Sequence, residues 1–226
     1  MRIALLGYGK MGRYLDRLAT AAGDEVVLRI GAGNRDQITR EELRTAEVVI
    51  EFSRPDAAVT NIAWVLDAGL PLVVGTTGWL DQLDKVTERV ESTGGALFWA
   101  SNFSVGVNIF LAAARQLAAA LHQQSGYTAT IEETHHTEKL DAPSGTALTL
   151  AEEVRAALDY DVPITSHREP DVPGTHLLRF HSPIDTLELL HTAHSREGFA
   201  RGALTAARWL PGRRGVYTMR DLLAEP

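Results

Sequence analysis

The chain has 226 residues, 45% of them hydrophobic and 23% charged, with a formal net charge of −7. That acidity, with no basic stretch to offset it, argues against nucleic acid or an anionic membrane as a partner. Cysteine is absent, which excludes a disulfide framework, a thiol nucleophile and a cysteine-ligated metal.

The opening apolar run is too short for a secretory signal. Residues 108–121 (NIFLAAARQLAAAL) are interrupted by Arg115 and Gln116 and are too short to span a bilayer. A cytoplasmic protein of one large or two small domains is expected.

Arg2–Leu6 (RIALL) is a short apolar strand. It runs into Gly7, Tyr8, Gly9, Lys10, Met11 and Gly12, followed by a helical pattern reaching Ala22. G-x-G-x-x-G between a strand and a helix predicts a dinucleotide site. The first glycine permits the tight turn, the second lets a pyrophosphate approach the backbone, and the third lets helix and strand pack closely. Glu25–Ile30 (EVVLRI) is the second strand. NAD-binding folds commonly carry an acid at its end to grip the ribose hydroxyls. Here 31–35 reads Gly-Ala-Gly-Asn-Arg, with no acid before Asp36. A neutral end with Arg29 or Arg35 in reach would tolerate a 2′-phosphate, so NADPH is expected, with NADH as the alternative. Arg35 reads equally well as a solvated loop residue. Only a small helical turn near 39–43 fits before the next strand.

Residues 47–52 (EVVIEF) form a buried-type strand. A helix follows over 55–68, with Pro55 at its start. A strand over 71–74 ends in Gly75, Thr76, Thr77 and Gly78. A loop at that end of a parallel strand faces the ligand crevice of an open sheet. A helix over 81–92 and a strand over 96–100 complete the alternation. This predicts an α/β fold, a Rossmann-like doubly wound parallel sheet.

After residue 104 the pattern changes. Val105–Leu121 is one long Ala-rich helix. Residues 127–133 (YTATIEE) alternate as a strand and 144–158 (SGTALTLAEEVRAAL) read as a helix. Residues 161–173 read as a loop. Strands follow over 176–180 and over 186–191, the latter running on towards His194. These imply a second α+β domain whose mixed or antiparallel sheet is open on one face. Residues 195–210 read as a helix, and the stretches Gly215–Tyr217 and Met219–Leu223 are expected to return to pack on the first domain. The expected division is 1–104 with 206–226 for the dinucleotide, and 105–205 for substrate and oligomerisation.

Residues 132–146 (EETHHTEKLDAPSGT) concentrate the chemistry, on what reads as a loop between a strand's end and a helix's start. A helix N-terminus presents unpaired N–H groups to anions. Gly145 allows close backbone approach and Thr146 adds a hydroxyl. Lys139 carries a mobile positive charge, and a histidine exchanges protons near neutral pH. Each residue alone reads as a solvated loop or an ordinary helix cap. Together they suit a small carboxylate substrate that gains or loses a proton. No metal is expected: His135 and His136 are neighbours on an extended chain and point apart. His122, His167, His176, His181, His191 and His194 are given no role.

The string Glu133-x-His135-His136-x-x-Lys139-x-Asp141-Ala-Pro-Ser-Gly-Thr-Ala resembles the signature of the dihydrodipicolinate reductase (4-hydroxy-tetrahydrodipicolinate reductase) family of lysine and diaminopimelate biosynthesis. The resemblance covers nearly the whole chain, from the glycine fingerprint to 196–210. It implies an NAD(P)H-dependent oxidoreductase that delivers hydride to a cyclic, dicarboxylated C=N-type substrate held between two domains. His135 would be the proton donor or acceptor, assisted by Lys139. His136, Gly145 and Thr146 would hold the substrate. Gly75, Thr76 and Thr77, with Ala100, Ser101, Asn102 and Phe103, would lie at the nicotinamide end, and the open sheet face would build a homotetramer. The short segment 31–45 departs from the family, whose members often carry a longer one. Two rivals remain: a reductase of another small imino or keto acid, and a non-catalytic dinucleotide sensor. Against the sensor stands the intact set of His135, His136 and Lys139.

Overall fold

The computed structural model describes residues 1–124, 126–195 and 197–224. Arg196, inside the helix expected over 195–210, and the last two residues of the expected first domain lie outside the described residues. The strands are β1 Arg2–Leu6, β2 Glu25–Ile30, β3 Val48–Glu51, β4 Leu72–Val74, β5 Ala96–Trp99, β6 Thr128–His135, β7 Ile164–Arg168, β8 Gly174–His181, β9 Thr186–Ala193 and β10 Gly215–Tyr217. The helices are α1 Lys10–Ala21, α2 Arg40–Leu43, α3 Pro55–Asp67, α4 Leu83–Thr93, α5 Val105–Leu121, α6 Gly145–Leu158, α7 Glu197–Trp209 and α8 Met219–Ala224. The chain forms two compact units, Met1–Ser104 with the residues from Phe199 onward, and Val105–Gly198. Among the described residues no helix is long and apolar enough to cross a membrane.

The first unit is built on a six-stranded sheet in the order β10-β5-β4-β3-β1-β2, parallel throughout. Its strands are short apolar runs because both faces are covered. On one face Ala4, Leu6, Val49, Leu72, Val74 and Leu97 join a core with Ala58, Ile62 and Val65 of α3 and Val86 and Val90 of α4. On the other, Phe98 meets Trp209 of α7 edge-on at 5.9 Å. The doubly wound parallel sheet is the architecture the strand–helix alternation predicts. The short stretch after β2 closes with a 3-10 turn, Arg35–Gln37, and with the four-residue α2. Thr39 and Glu42 cap α2 reciprocally, which lets so short a helix hold.

The second unit holds a four-stranded sheet in the order β7-β6-β8-β9. β6 and β7 are parallel, while β6 with β8 and β8 with β9 are antiparallel, so the sheet is mixed. Ala129, Ile131, Leu178 and Phe180 pack against Phe110 and Ala114 of α5 and Leu150 and Val154 of α6. The opposite face carries Arg179, paired with Glu132 and Glu188, and Leu190, which is 60% exposed.

Two expectations need correction here. Residues 161–173 are not all loop, because β7 pairs with β6 along its length. Its ITSHR alternates half-buried with exposed residues; an edge strand of this kind needs no apolar run. The charged stretch also does not begin in a loop. β6 runs on past Glu133, where the expected strand stops, to His135, held through Thr134 by pairing with β8, so His135 is a strand residue as Glu133 is.

Candidate functional site

In the first unit the candidate residues gather where parallel strands end. Gly7 leaves β1 with φ +99°, its N–H bonded to Ile30 O at 2.8 Å. A Cβ there would sit 2.1 Å from Phe52 O, and one on Gly12 would sit 2.3 Å from Gly7 O. Both glycines are therefore required by packing. Gly9 differs: nothing lies within 4 Å of an added Cβ. It is the N-cap of α1, lacks a side-chain cap bond, and no acid occupies the first turn. With Lys10 exposed beside it and Met11 half-buried, this end of α1 fits a pyrophosphate.

The other loops of that edge divide into buried and open members. Gly75 N–H bonds Glu51 O at 2.8 Å. Thr76 is buried, and its Oγ1 accepts from Ser53 N–H at 2.8 Å. Phe103 is buried between the rings of Phe52 and Phe98, and Ala100 is buried behind β5. Asn102 Oδ1 accepts from Ser104 N–H at 2.9 Å. Thr77 and Ser101 are the exposed members. Glu51, not anticipated, is fully buried at the end of β3. Burial pushes its carboxyl above the ordinary range, against hydrogen bonds from Ser53, Thr76 and Asn61.

The two arginines near β2 differ in their engagement. Arg29 grips Asp16 with Nε at 2.7 Å and Nη2 at 2.8 Å, and Nη1 bonds Val26 O. Tyr8 of the glycine loop donates to the same carboxylate. The Arg29 hydrogen bonds hold Asp16 below the usual carboxylate range. Arg35 lies 4.5 Å over the ring of Trp64 and pairs with Asp36 at 3.1 Å.

In the second unit the site starts from the two-residue period of β6. Glu133 and His135 share its buried face, 1% and 8% exposed. Register sets Ser166 of β7 on one side of Glu133 and His176 of β8 on the other. His135 Nδ1 lies 2.5 Å from Glu133 Oε2, close but poorly aligned, since neither atom completes a directed hydrogen bond. Glu133 Oε1 accepts from Ser144 N–H and from Arg168 Nη1, both at 3.2 Å. His176 stands edge-on to His135 at 5.1 Å, and its Nε2 is 3.2 Å from Ser144 Oγ. Ser144 is the N-cap of α6 and accepts from Ala147 N–H.

The loop after β6 is tied down by the same arginine. Arg168 donates to the carbonyls of Asp141 at 2.7 Å and Lys139 at 3.3 Å. Lys139 Nζ meets both Asp141 carboxylate oxygens, at 2.9 and 2.8 Å. Gly145 is exposed, with open space around it, and Thr146 is half-buried. His136 lines a hollow of about 380 Å³ with Thr137, Glu138, residues 170–173 and Ser195. A larger hollow, about 460 Å³, lies at the other end of α6 among Arg155, Asp159, Tyr160 and Asp161, away from every candidate.

Electrostatics separate the roles. Burial alone would push the Glu133 carboxyl up. Hydrogen bonds from Ser166 and Ser144, the charge of His135 and a hydrogen bond from Arg168 outweigh it and hold it at about 2. Burial lowers His135 below its ordinary 6.5, and the charge of Lys139 adds to this while the Glu133 carboxylate opposes it. Burial lowers His176 to about 4. Donor atoms of Glu133, His135 and His176 lie within 4.8 Å of one another, a spacing that suits a metal. However, Arg168 already binds the carboxylate and Ser144 engages His176. A guanidinium on the same carboxylate repels a divalent cation, so Glu133 and His135 are better read as an acid–base pair with His176 packed beside it. The sequence could have paired Glu133 with His135 through E-x-H on one strand. It held no signal for His176, which register alone brings opposite.

Residues 1–103 match the family model described as dihydrodipicolinate reductase, N-terminus, and residues 106–223 match dihydrodipicolinate reductase, C-terminus. The 4-hydroxy-tetrahydrodipicolinate reductase of Christiangramia forsetii is 40% identical over 239 residues, covering 100% of this chain and 98% of the relative. The enzyme of that name from Thiobacillus denitrificans is 35% identical over 266 residues, covering 99% and 98%. Among solved structures, dipicolinate-bound dihydrodipicolinate reductase from Paenisporosarcina sp. TG-14 shares the fold, with a TM-score of 0.82 at 22% identity, covering 96% and 97%. The amine dehydrogenase from Mycobacterium smegmatis shares it more distantly, with a TM-score of 0.65 at 10% identity, covering 97% and 95%.

Proposed function

The chain belongs to the dihydrodipicolinate reductase family, and on that premise we propose that it reduces 4-hydroxy-tetrahydrodipicolinate (dihydrodipicolinate) to tetrahydrodipicolinate with NAD(P)H, in lysine and diaminopimelate biosynthesis. The observation that carries this reading is the buried Glu133–His135 pair beside the capped start of α6. Dinucleotide binding alone has no use for such a pair.

NAD(P)H supplies the hydride when bound. Gly7, Gly9, Lys10, Met11 and Gly12 hold its pyrophosphate at the start of α1. Gly75, Thr76 and Thr77, with Ala100, Ser101, Asn102 and Phe103, serve its nicotinamide end. The substrate is a small dicarboxylate, held by Lys139, His136 and the N–H groups of Gly145 and Thr146. Lys139 pairs with Asp141, so a substrate carboxylate takes over a cation already neutralised and set in position. His135 exchanges a proton with the reacting substrate through Nε2, while the Glu133 carboxylate steadies the imidazolium whenever it forms.

NADPH is the preferred cofactor, because the neutral end of β2 has no acid to oppose a 2′-phosphate and Arg35 stands near it. The first unit binds the dinucleotide. The second binds substrate and, through the open face of its sheet, assembles a homotetramer in the cytoplasm. The test is the loss of reduced-nicotinamide absorbance with the product of a coupled dihydrodipicolinate synthase reaction, run with NADPH and with NADH. Rapid turnover favouring NADPH is expected. Absence of turnover with either, in a protein that binds NADPH, would sink the assignment.

A further inference from the structure

We infer that His176 is a positioning residue, fixing Ser144 at the start of α6 and closing one edge of His135. The inference rests on the reading of the site given above and extends it to a residue on another strand.

The inward row of β8 continues from His176 to Leu178 and Phe180, which are 0% and 1% exposed in the core. An apolar side chain would suit that row. Burying an imidazole there costs free energy unless it makes a hydrogen bond, and His176 is 4% exposed. What it makes is the 3.2 Å contact to Ser144 Oγ.

Ser144 is itself only 2% exposed. Its Oγ accepts from Ala147 N–H and its N–H donates to Glu133 Oε1. The first turn of α6 is therefore bolted to the sheet at two points, Glu133 on β6 and His176 on β8. Those strands pair with the two residues directly opposite. A shift of the Ser144 bolt moves Gly145 and Thr146, the groups assigned to the substrate carboxylate. The edge-on packing of His176 at 5.1 Å covers one side of His135. On the far side of His176 stands His191, at 6.5 Å. The charged and titratable neighbours of His176 are thus Glu133, His135, His191 and, through its charge, Lys139.

The test compares His176→Phe, which keeps a ring against His135 and cannot bond Ser144, with His176→Gln, whose amide nitrogen reaches where Nε2 does. In His176→Phe the KM for 4-hydroxy-tetrahydrodipicolinate and the Kd for dipicolinate should rise about five- to tenfold. Its kcat should change less than about twofold and its Kd for NADPH should stay put. His176→Gln should restore KM. Unchanged KM and Kd in His176→Phe would overturn the inference. So would a His176→Gln as impaired as His176→Phe, or losses shared equally by KM, kcat and NADPH binding. If His176→Phe does not fold, His176→Gln decides: near-wild-type KM supports the inference and a fivefold rise overturns it. A wild-type protein that neither turns over the substrate nor binds dipicolinate overturns the proposed function, and this inference with it.

Discussion

The edge of the parallel sheet is built of backbone, whereas the candidate site in the mixed sheet is built of side chains. At the start of α1 the requirement is absence of atoms: Gly7 and Gly12 have no room for a Cβ, and Gly9 leaves open space above a bare helix end. At the end of β6 the requirement is charge in register: Glu133 against His135, Arg168 on the same carboxylate, and His176 across the strand. A backbone site fails when mass is added. A side-chain site tolerates small changes of shape and fails when a charge is removed or titrated.

The largest effect that would test this contrast is at Gly7. Its φ of +99° and the 2.1 Å approach of an added Cβ to Phe52 O oppose any side chain. Gly7→Val should destabilise the protein by more than about 3 kcal/mol and abolish NADPH binding, measured by denaturant titration and by nucleotide fluorescence. Gly9→Val is the control, since open space lies where its Cβ would go. Stability should change by about 1 kcal/mol or less, yet NADPH affinity should fall at least tenfold because the pyrophosphate loses its close approach. Equal affinity in Gly9→Val and wild type would break the backbone reading.

On the side-chain half, His135→Ala should lower kcat by about 10²- to 10⁴-fold and leave the Kd for NADPH unchanged. Activity retained in full would remove His135 as the proton carrier. Glu133→Gln should act less strongly on kcat but cost stability, about 3 kcal/mol, because Arg168 loses the buried carboxylate it pairs with. A Glu133→Gln protein as stable as wild type would mean that the Arg168 pair contributes little.

These two halves also differed in how readable they were. The glycine loop was legible because its signal is local: strand, turn and helix fall within one continuous stretch, and Gly7 and Gly12 meet atoms of that same fold. β1, β2 and α5 have the bounds the sequence pattern predicts. The cluster around His135 was legible only in part. The motif names Glu133, His135 and Lys139, but Arg168 lay in a stretch that reads as loop and His176 had no assigned role. Both join through strand register, which couples residues 35 and 43 positions apart from Glu133. β7 escaped notice because an edge strand with half its residues exposed carries no apolar run. Glu51 escaped because a single acid within an otherwise apolar run carries no signal of its own, although it is fully buried. Arg29 read as a candidate for a phosphate, and only the folded chain reveals its grip on Asp16.

The smallest effects separate the halves by the sign of their pH dependence. His176 moves from 6.5 to about 4 on folding. The fold therefore prefers the neutral ring, and the unfolded chain takes up the proton first. That contribution is whole above about pH 6.5 and is lost as pH falls towards 4, by at most about 3 kcal/mol. The Glu133 carboxyl, held at about 2, acts in the same direction at lower pH, from about 4.5 downwards. Glu51 has the opposite sign: its raised carboxyl favours the protonated folded form. Its contribution is present below the ordinary carboxylate range and is lost as pH rises through the folded value. Melting temperatures followed across pH should therefore fall more gently in acid for His176→Phe than for wild type. Glu51→Gln, which mimics the protonated acid, should gain slightly on wild type towards neutral pH. A Glu51→Gln curve parallel to wild type at every pH would mean that the carboxyl is ionised in the fold, and that a charge does lie beneath the backbone-built edge.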